Sequence, residues 1–166
     1  PAVSHDLSLQ ANFIINQYAV TIEAGTGGTL NSGSSGTYAH GTSVNLAATP
    51  SAHYTFSHWE GATFASPSSL STSTTITSPT TVRAVFSPIP YTLTLSKNID
   101  TAGDVFTTSN VYQFHYNDTV AIQAQARSGY GFVSWSNGMT NATEQVTILG
   151  NTTLTANFDG EPASLT

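Results

Sequence analysis

The chain repeats itself along its length, and this feature constrains its fold more than any other. Four blocks of sequence occur twice in the same order, and the copies are separated by 72 to 76 residues. The matching segments are residues 18–22 with 91–95, 44–48 with 120–124, 53–59 with 129–135, and 82–86 with 154–158. A repeat of this period is typical of tandem structural units that each form one small folded element of the array.

A third copy of the closing block lies near the start of the sequence, where residues 7–13 read LSLQANF. The closing phenylalanines Phe13, Phe86 and Phe158 are spaced by 73 and then 72 residues. This spacing predicts the last strand of a preceding repeat, which would either pair with a neighbouring edge or stay loose, and a chain that begins inside a longer protein. The predicted organisation is residues 1–16 (closing strand and connector), 17–87 (module 1), 88–90 (proline linker), 91–159 (module 2) and 160–166 (tail).

The composition indicates that the modules are built from β-strands. The chain contains 27 Thr and 21 Ser, and only 7% of its residues are charged. Threonine is β-branched and favours pleated strands over helices. Residues 18–23, 44–48 and 120–124 alternate with period two, the pattern of half-buried strands. We therefore expect a mainly β fold of two tandem small β modules.

Two segments between the strands are assigned from their residue types. Residues 66–75 are almost wholly Ser and Thr, and we interpret them as an exposed loop with at most one helical turn. Residues 87–90 read SPIP. Each proline fixes its own φ and pushes the preceding residue towards extended geometry, so this segment is predicted to be a short, stiff connector.

Charge and residue usage exclude several classes of function. The net charge is −6, and Lys97, Arg83 and Arg127 are the only Lys or Arg residues. Because binding a phosphate backbone requires clustered cations, we expect no nucleic-acid partner. The sequence has no cysteine and no long apolar run, so we expect no thiolate chemistry and no membrane insertion. It also contains no G-x-S-x-G element.

The repeated blocks together resemble a known family. The pattern Y-x-[VL]-T-[IL], a Gly-rich turn, [VI]-x-[LI]-x-A, G-Y-x-F-x-x-W and a closing [VL]-x-A-x-F is similar to the divergent internalin B-repeat of bacterial surface proteins. Module 1 departs from it with His53 in place of Gly, and module 2 with Ala126 and Arg127 where module 1 has Pro50. The resemblance implies β-grasp-like or small sandwich modules, a secreted or cell-surface location, and no catalytic residues.

The two tryptophans raise the question of a sugar-binding surface. Trp59 and Trp135 occupy equivalent positions in the two modules. Strict alternation after Phe56 would point Trp59 outwards, where a flat indole face could stack on a sugar ring. A bend or bulge after Phe56 would instead return it to the core. We favour the core, and a glycan platform formed by Trp59 and Trp135 is the alternative.

Two clusters contain residue types that bind metals. His53, His58 and Glu60 could together hold zinc, but module 2 has Gly129, Ser134 and Ser136 at those positions. Asn98, Asp100 and Asp104 provide oxygen atoms of the kind that calcium prefers, although such residues are also common in turns. Lys97 stands beside this turn, where we expect it to be solvated. Both metal sites are alternatives to a purely structural role, and no cofactor is expected.

The sequence favours a non-catalytic extracellular repeat module that serves as a structural stalk, a spacer or an adhesive part of a larger surface or secreted protein. Its expected partners are neighbouring repeats of the same chain and, for an adhesive role, a surface glycan or a host or matrix protein. The alternative is a carbohydrate-binding accessory module of a secreted polysaccharide-degrading enzyme. The residues that recur are those that a β core requires, whereas the chemically distinctive ones do not recur.

Overall fold

The structure, a computed structural model, describes residues 10–107 and 113–160. Every regular element within those residues is a β-strand, as the Thr-rich composition predicts. The chain divides into two units between Ser87 and Pro88. The strands of module 1 are β1 (Gln17–Ala24), β2 (Gly28–Ser32), β3 (Gly36–Ala39), β4 (Ser43–Pro50), β5 (Tyr54–Glu60), β6 (Ser71–Thr75) and β7 (Thr80–Pro88). Those of module 2 are β8 (Leu93–Lys97), β9 (Gly103–Thr107), β10 (Thr119–Ala126), β11 (Tyr130–Trp135), β12 (Thr143–Thr147) and β13 (Thr152–Gly160).

Module 1 is a small sandwich of two sheets. One sheet has the strand order β3-β1-β7-β5, and the other has the order β2-β4-β6. The first and last strands of the module, β1 and β7, lie side by side and run parallel, with Val20 opposite Thr80 and Ala24 opposite Ala84. All other strand pairs with a described register in this module are antiparallel. The chain therefore enters and leaves the module on adjacent central strands.

The core of module 1 lies between its two sheets. Alternate residues of β1, β4 and β7 point inwards, and this follows from the period-two pattern of their sequences. Trp59 of β5 and Ile76, which directly follows β6, also belong to this core. The buried residues are Val20, Ile22, Val44, Leu46, Ala48, Trp59, Ile76, Val82, Ala84 and Phe86.

Module 2 also has two sheets, each with three described strands, and its first strand β8 lies at the edge of its sheet. Its sheets have the orders β11-β13-β8 and β12-β10-β9, and its first and last strands are again parallel, with Leu93 opposite Thr152. An isolated antiparallel bridge joins Tyr91 to Phe114. The core residues are Ala102, Phe114, Val120, Ile122, Ala124, Trp135, Val146, Ile148, Leu154, Ala156 and Phe158.

A glycine at the start of the second strand of each module lets the closing phenylalanine reach the core. A Cβ atom on Gly28 would overlap the ring of Phe86, and one on Gly103 would lie 2.6 Å from the ring of Phe158. The glycines therefore serve for close packing between a strand backbone and an aromatic ring.

The structure corrects the prediction for residues 66–75. The second half of this segment is not a loop but strand β6, which pairs antiparallel with β4 from Ser71 to Thr75. Thr74 is 3% exposed, and its hydroxyl donates to the carbonyl of Thr63 at 2.9 Å. A β-branched residue with a satisfied hydroxyl fits a buried strand position as well as an apolar one does. Residues 66–70 form the predicted loop, with a turn at residues 67–68 rather than a helix.

The predicted closing strand at residues 7–13 is described only in part, because residues 7–9 lie outside the described ranges. Residues 10–16 form no strand, and the side chain of Phe13 is 93% exposed. Its counterparts Phe86 and Phe158 are 8% and 2% exposed. In module 1 the position between β1 and β5, which belongs to the closing strand of the module, is filled by β7.

Candidate functional site

Both tryptophans lie in the cores of their modules. Trp59 is 2% exposed and Trp135 is 1% exposed, so neither indole face is open to a sugar ring. Each indole N–H donates to a carbonyl of the following loop, Trp59 to Ser69 at 3.0 Å and Trp135 to Asn141 at 3.2 Å. Burial with a satisfied donor is the stable arrangement for this side chain. The structure therefore corrects the alternative of a glycan platform formed by Trp59 and Trp135.

A local irregularity in the strand turns the tryptophan inwards. In module 2 the pairing of β11 with β13 shifts register between Phe132 and Ser134. The extra residue, Val133, is 53% exposed, and the shift restores the inward direction three residues after Phe132. The rings of Phe132 and Trp135 lie 5.7 Å apart at 58°, and those of Phe56 and Trp59 lie 5.7 Å apart at 56°. The two modules thus place their tryptophans in the same way.

The residues of the zinc hypothesis each have a structural role in module 1. His53 adopts a φ of 66° in the turn before β5, and its counterpart Gly129 has a φ of 83°. His58 shares a hydrogen bond of 2.9 Å with the hydroxyl of Ser57. Glu60 lies 4.0 Å from Arg83. Among the described residues, no three His, Asp or Glu side chains converge as a metal site would require.

Glu60 belongs to a cross-strand cluster that has a counterpart in module 2. Arg83 of β7 lies between Glu23 of β1 at 3.8 Å and Glu60 of β5 at 4.0 Å. At the equivalent positions of module 2, Ser96 and Thr155 share a hydrogen bond of 2.8 Å through their hydroxyls. The hydroxyl of Ser136 accepts from the backbone N–H of Thr155 at 3.1 Å. The two modules therefore link the same three strands, one with exposed charges and the other with hydroxyls.

Two residues of the calcium hypothesis, Asn98 and Asp104, are engaged with protein groups through their side chains, and Asp100 is engaged through its backbone carbonyl. The side chain of Asn98 donates to the carbonyl of Phe158 and accepts from its N–H, both at 2.9 Å. The carboxylate of Asp104 forms a bidentate pair with Arg127, at 3.0 and 3.1 Å. Lys97 donates to the carbonyls of Asp100 and Gly103 at 2.9 and 3.0 Å. The ammonium of Lys97 therefore holds the β8–β9 turn together from inside, instead of being only solvated as expected.

A polar pocket opens beside Phe64 in module 1. It has a volume of about 620 Å³ and lies between the β5–β6 loop and the β6–β7 turn. Six hydroxyl side chains line it together with the ring of Phe64, and of the described lining residues none is charged. Phe64 is half-buried and leans on Trp59, with 6.4 Å between ring centroids. The lining hydroxyls are those of Thr63, Ser73, Thr75, Thr77, Ser78 and Thr80.

The loop that forms this pocket is longer in module 1 than in module 2. The indole N–H of Trp59 reaches a carbonyl ten residues later, whereas that of Trp135 reaches one only six residues later. Module 1 therefore carries four additional loop residues. This difference is visible in the sequence as a change of repeat offset, and it was the available signal for a feature specific to one module.

Comparison with known families identifies the repeat. The family model described as the divergent InlB B-repeat domain matches the chain twice, over residues 18–90 and 91–162. The chain belongs to this family. The resemblance noted in the sequence and the expected fold of two tandem, mainly β modules are thereby confirmed. No curated protein sequence compared with the chain matches it significantly.

The B-repeat family is associated with bacterial surface proteins, and its modules are typically non-catalytic. Of the described residues, none belongs to a helix that is long and apolar enough to cross a bilayer. Every buried side-chain nitrogen or oxygen in the described B-repeat residues has a hydrogen-bond partner. Unsatisfied buried side-chain polar groups, each of which calls for an explanation such as a catalytic role, are therefore not a feature of these described cores.

Proposed function

We propose that this pair of B-repeats is a non-catalytic spacer in an extracellular bacterial surface or secreted protein. The observation that best supports the spacer role is that the features shared by the two modules are structural ones. Both copies conserve between them the parallel pairing of first and last strands, the closing phenylalanine and the core tryptophan. By contrast, the pocket is lined by residues of module 1, and Gly129 stands in module 2 at the position of His53. A module that only builds an array needs the strand pairing, the closing phenylalanine and the core tryptophan. It does not need the pocket or His53.

The topology of each module suits a serial arrangement. Because β1 and β7 run parallel, the chain enters at one end of the central strand pair and leaves at the opposite end. β8 and β13 also run parallel, so the chain enters and leaves module 2 at opposite ends as well. A unit with opposite entry and exit adds length between whatever precedes and follows it. Its hydroxyl-rich and sparsely charged sequence also suits an exposed module with neighbouring repeats as its main partners.

We expect a spacer to change the accessibility of what it carries. The chain would be displayed on bacterial cells between a wall anchor and an epitope tag. Two further versions would carry residues 17–90 alone, or no module at all, between the anchor and the tag. Antibody binding to the tag should increase from no module to one module to both. Binding that does not depend on the number of modules would contradict the spacer role. Retention of the displaying cells on immobilised matrix protein would instead support the adhesive form of the proposal.

The pocket at Phe64 supports glycan binding as a second candidate function. A half-exposed aromatic ring can stack on the apolar face of a sugar, and surrounding hydroxyls can exchange hydrogen bonds with sugar hydroxyls. Both features meet in a pocket of about 620 Å³. This proposal moves the sugar-stacking role from the buried tryptophans to a ring that is only partly buried, and it assigns binding to module 1.

We expect Phe64→Ala to abolish retention of the chain on insoluble polysaccharides while module 1 stays folded, because the ring is the main apolar contact in the pocket. Leu70→Ala is the matched control: Leu70 lies on the same loop, is 45% exposed and does not line the pocket. Pull-down assays on cell-wall and plant polysaccharides measure the effect, and tryptophan fluorescence reports folding. Equal retention of both variants, or no retention of the wild-type chain, would rule out this candidate.

A further inference from the structure

The force-bearing geometry of the modules follows from the pairing of their terminal strands. Residues 20–24 of β1 lie in register with residues 80–84 of β7, and residues 93–97 of β8 lie in register with residues 152–156 of β13. Tension applied through the chain pulls β1 towards its N-terminal end and β7 towards its C-terminal end. In a parallel pair these two pulls are antiparallel and run along the strands, so they slide one strand against the other.

Sliding loads all the bonds of the ladder together. Hydrogen bonds between parallel strands are evenly spaced along the pair, so the five residue pairs of each ladder share the load and must break nearly at once. If the same strands were pulled from one end, the bonds would open one after another. A single hydrogen bond contributes little to net stability, and resistance to force therefore depends on how many bonds act in concert.

We propose that each module is a mechanical clamp that keeps its fold under tension along the chain. For its biological meaning this inference rests on the proposed spacer role, since a spacer between an anchor and a distal domain transmits whatever force acts on that domain. Forced unfolding is governed by the rate of crossing the unfolding barrier and not by equilibrium stability alone. A module with this topology can thus combine modest thermodynamic stability with high resistance to pulling.

Further contacts extend the clamp beyond the ladders, and they differ between the modules. In module 1 the N–H of Gly25 continues the ladder to the carbonyl of Ala84 at 2.8 Å. In module 2 the equivalent residue is Asn98, whose N–H donates to the carbonyl of Ala156 at 3.1 Å. Its side chain adds the two bonds to the backbone of Phe158 that were described above. Asn98 therefore acts as one more rung of the parallel pair.

The opposite end of the module 2 ladder is extended in a similar way. The N–H of Thr152 donates to the carbonyl of Thr92 at 2.9 Å. The N–H of Thr92 in turn donates to the side-chain oxygen of Asn151 at 3.0 Å. Side-chain amides therefore add hydrogen bonds at both ends of the module 2 ladder.

The absence of cysteine from the sequence allows force to be applied at chosen points of the full chain. Gln17→Cys with Ser87→Cys places handles at the start of β1 and the end of β7, which shears the pair. Gln17→Cys with Ser78→Cys places both handles at the same end of the pair, which peels it open. All three native side chains are exposed. Optical-tweezers extension of each double variant should give a rupture force several-fold higher in shear than in peeling.

The change in length identifies the event, because unfolding of module 1 between residues 17 and 87 should release about 220 Å of chain. Both double variants should show the same thermal unfolding without load, so a difference in force reports geometry. Equal rupture forces in the two geometries would overturn the clamp. Equal rupture forces would not affect the spacer role, which is tested by antibody binding to the displayed tag. The two proposals can therefore fail independently of each other.

Asn98→Ala tests the extension of the clamp in module 2, with handles at Pro90→Cys and Asp159→Cys. We expect a lower rupture force in shear, because two bonds leave the loaded set. With handles at Pro90→Cys and Leu149→Cys the rupture force should be unchanged, since peeling starts at Thr92 and reaches Asn98 last. Thr94→Ala, an exposed position on β8, is the matched control and should change neither force. A loss in both geometries, or in neither, would contradict the role of Asn98.

Discussion

Replacing Trp135 by alanine is expected to unfold module 2 under conditions in which module 1 remains folded. Trp135 is 1% exposed and packs on Phe132 in a closed core. Removal of a buried Trp side chain typically costs about 3–5 kcal/mol through lost apolar burial and the cavity left behind. It also leaves the carbonyl of Asn141 without its indole donor. A domain of this size has a total stability at the low end of about 5–15 kcal/mol.

The sequence provides its own reporters for this experiment, because it has two tryptophans and each module contains one. In Trp135→Ala, the fluorescence of Trp59 should follow an unchanged urea transition of module 1. Differential scanning calorimetry should show that the module 2 transition has moved to much lower temperature. Val133→Ala, on the same strand and 53% exposed, is the control and should change stability by less than about 1 kcal/mol. A native-like module 2 transition in Trp135→Ala would contradict the core assignment.

Gly61→Ala is expected to destabilise module 1 by about 2–5 kcal/mol. This cost has two parts, the penalty for alanine in a left-handed backbone conformation and the steric clash of its Cβ atom. Gly61 has a φ of 96°, and a Cβ atom there would overlap the carbonyl oxygen of Thr81 on β7. Because that oxygen belongs to the backbone of a central strand, it cannot move aside without distorting the sheet. The hydroxyl of Thr80 also donates to the carbonyl of Gly61 at 2.7 Å, so a shift of this turn would disturb a second contact.

Gly138→Ala is the matched control for this substitution. Gly138 also follows the core tryptophan of its module and has a φ of 90°, but a Cβ atom there would meet no atom within 4 Å. We expect it to cost only the backbone penalty of about 1–2 kcal/mol. Urea unfolding followed by the fluorescence of the tryptophan in each module measures both values. Equal losses at the two glycines would show that the approach of the turn to Thr81 is not as close as described.

The strands with apolar alternation could be predicted from the sequence, since β1, β4, β7, β10 and β13 each bury alternate residues. Strand β6 could not be predicted in this way, because its most buried residue is a threonine. The hydroxyl of Thr74 is satisfied in the core by a hydrogen bond to the carbonyl of Thr63, which lies eleven residues earlier. A run of Ser and Thr has the same composition in a loop and in a strand. Its state is decided by the partner strand, here β4, and not by its own pattern.

The candidate sites show the same limit. The direction of Trp135 depends on the register shift at Val133, which a period-two pattern does not contain, although repetition of the tryptophan in both modules favoured the core. The residue types around Asn98 predict a possible cation ligand, whereas its side chain binds the backbone of Phe158, 60 residues away. No local pattern reveals a partner at that distance. The pocket at Phe64 depends in turn on how a longer loop folds back against β6.

The parallel pairing of first and last strands also determines when a module can fold. β1 obtains its central neighbour only when β7 is available, and in module 2 the two residues that Asn98 joins are 60 apart. Contacts this distant in sequence carry a large loop-closure cost and slow the folding reaction. A module that emerges gradually from a ribosome or an export channel therefore stays incomplete until its closing phenylalanine has appeared. The chain would then acquire structure in steps of one whole module, and the unfinished module would be the part most exposed to proteases and to mispairing with its neighbour.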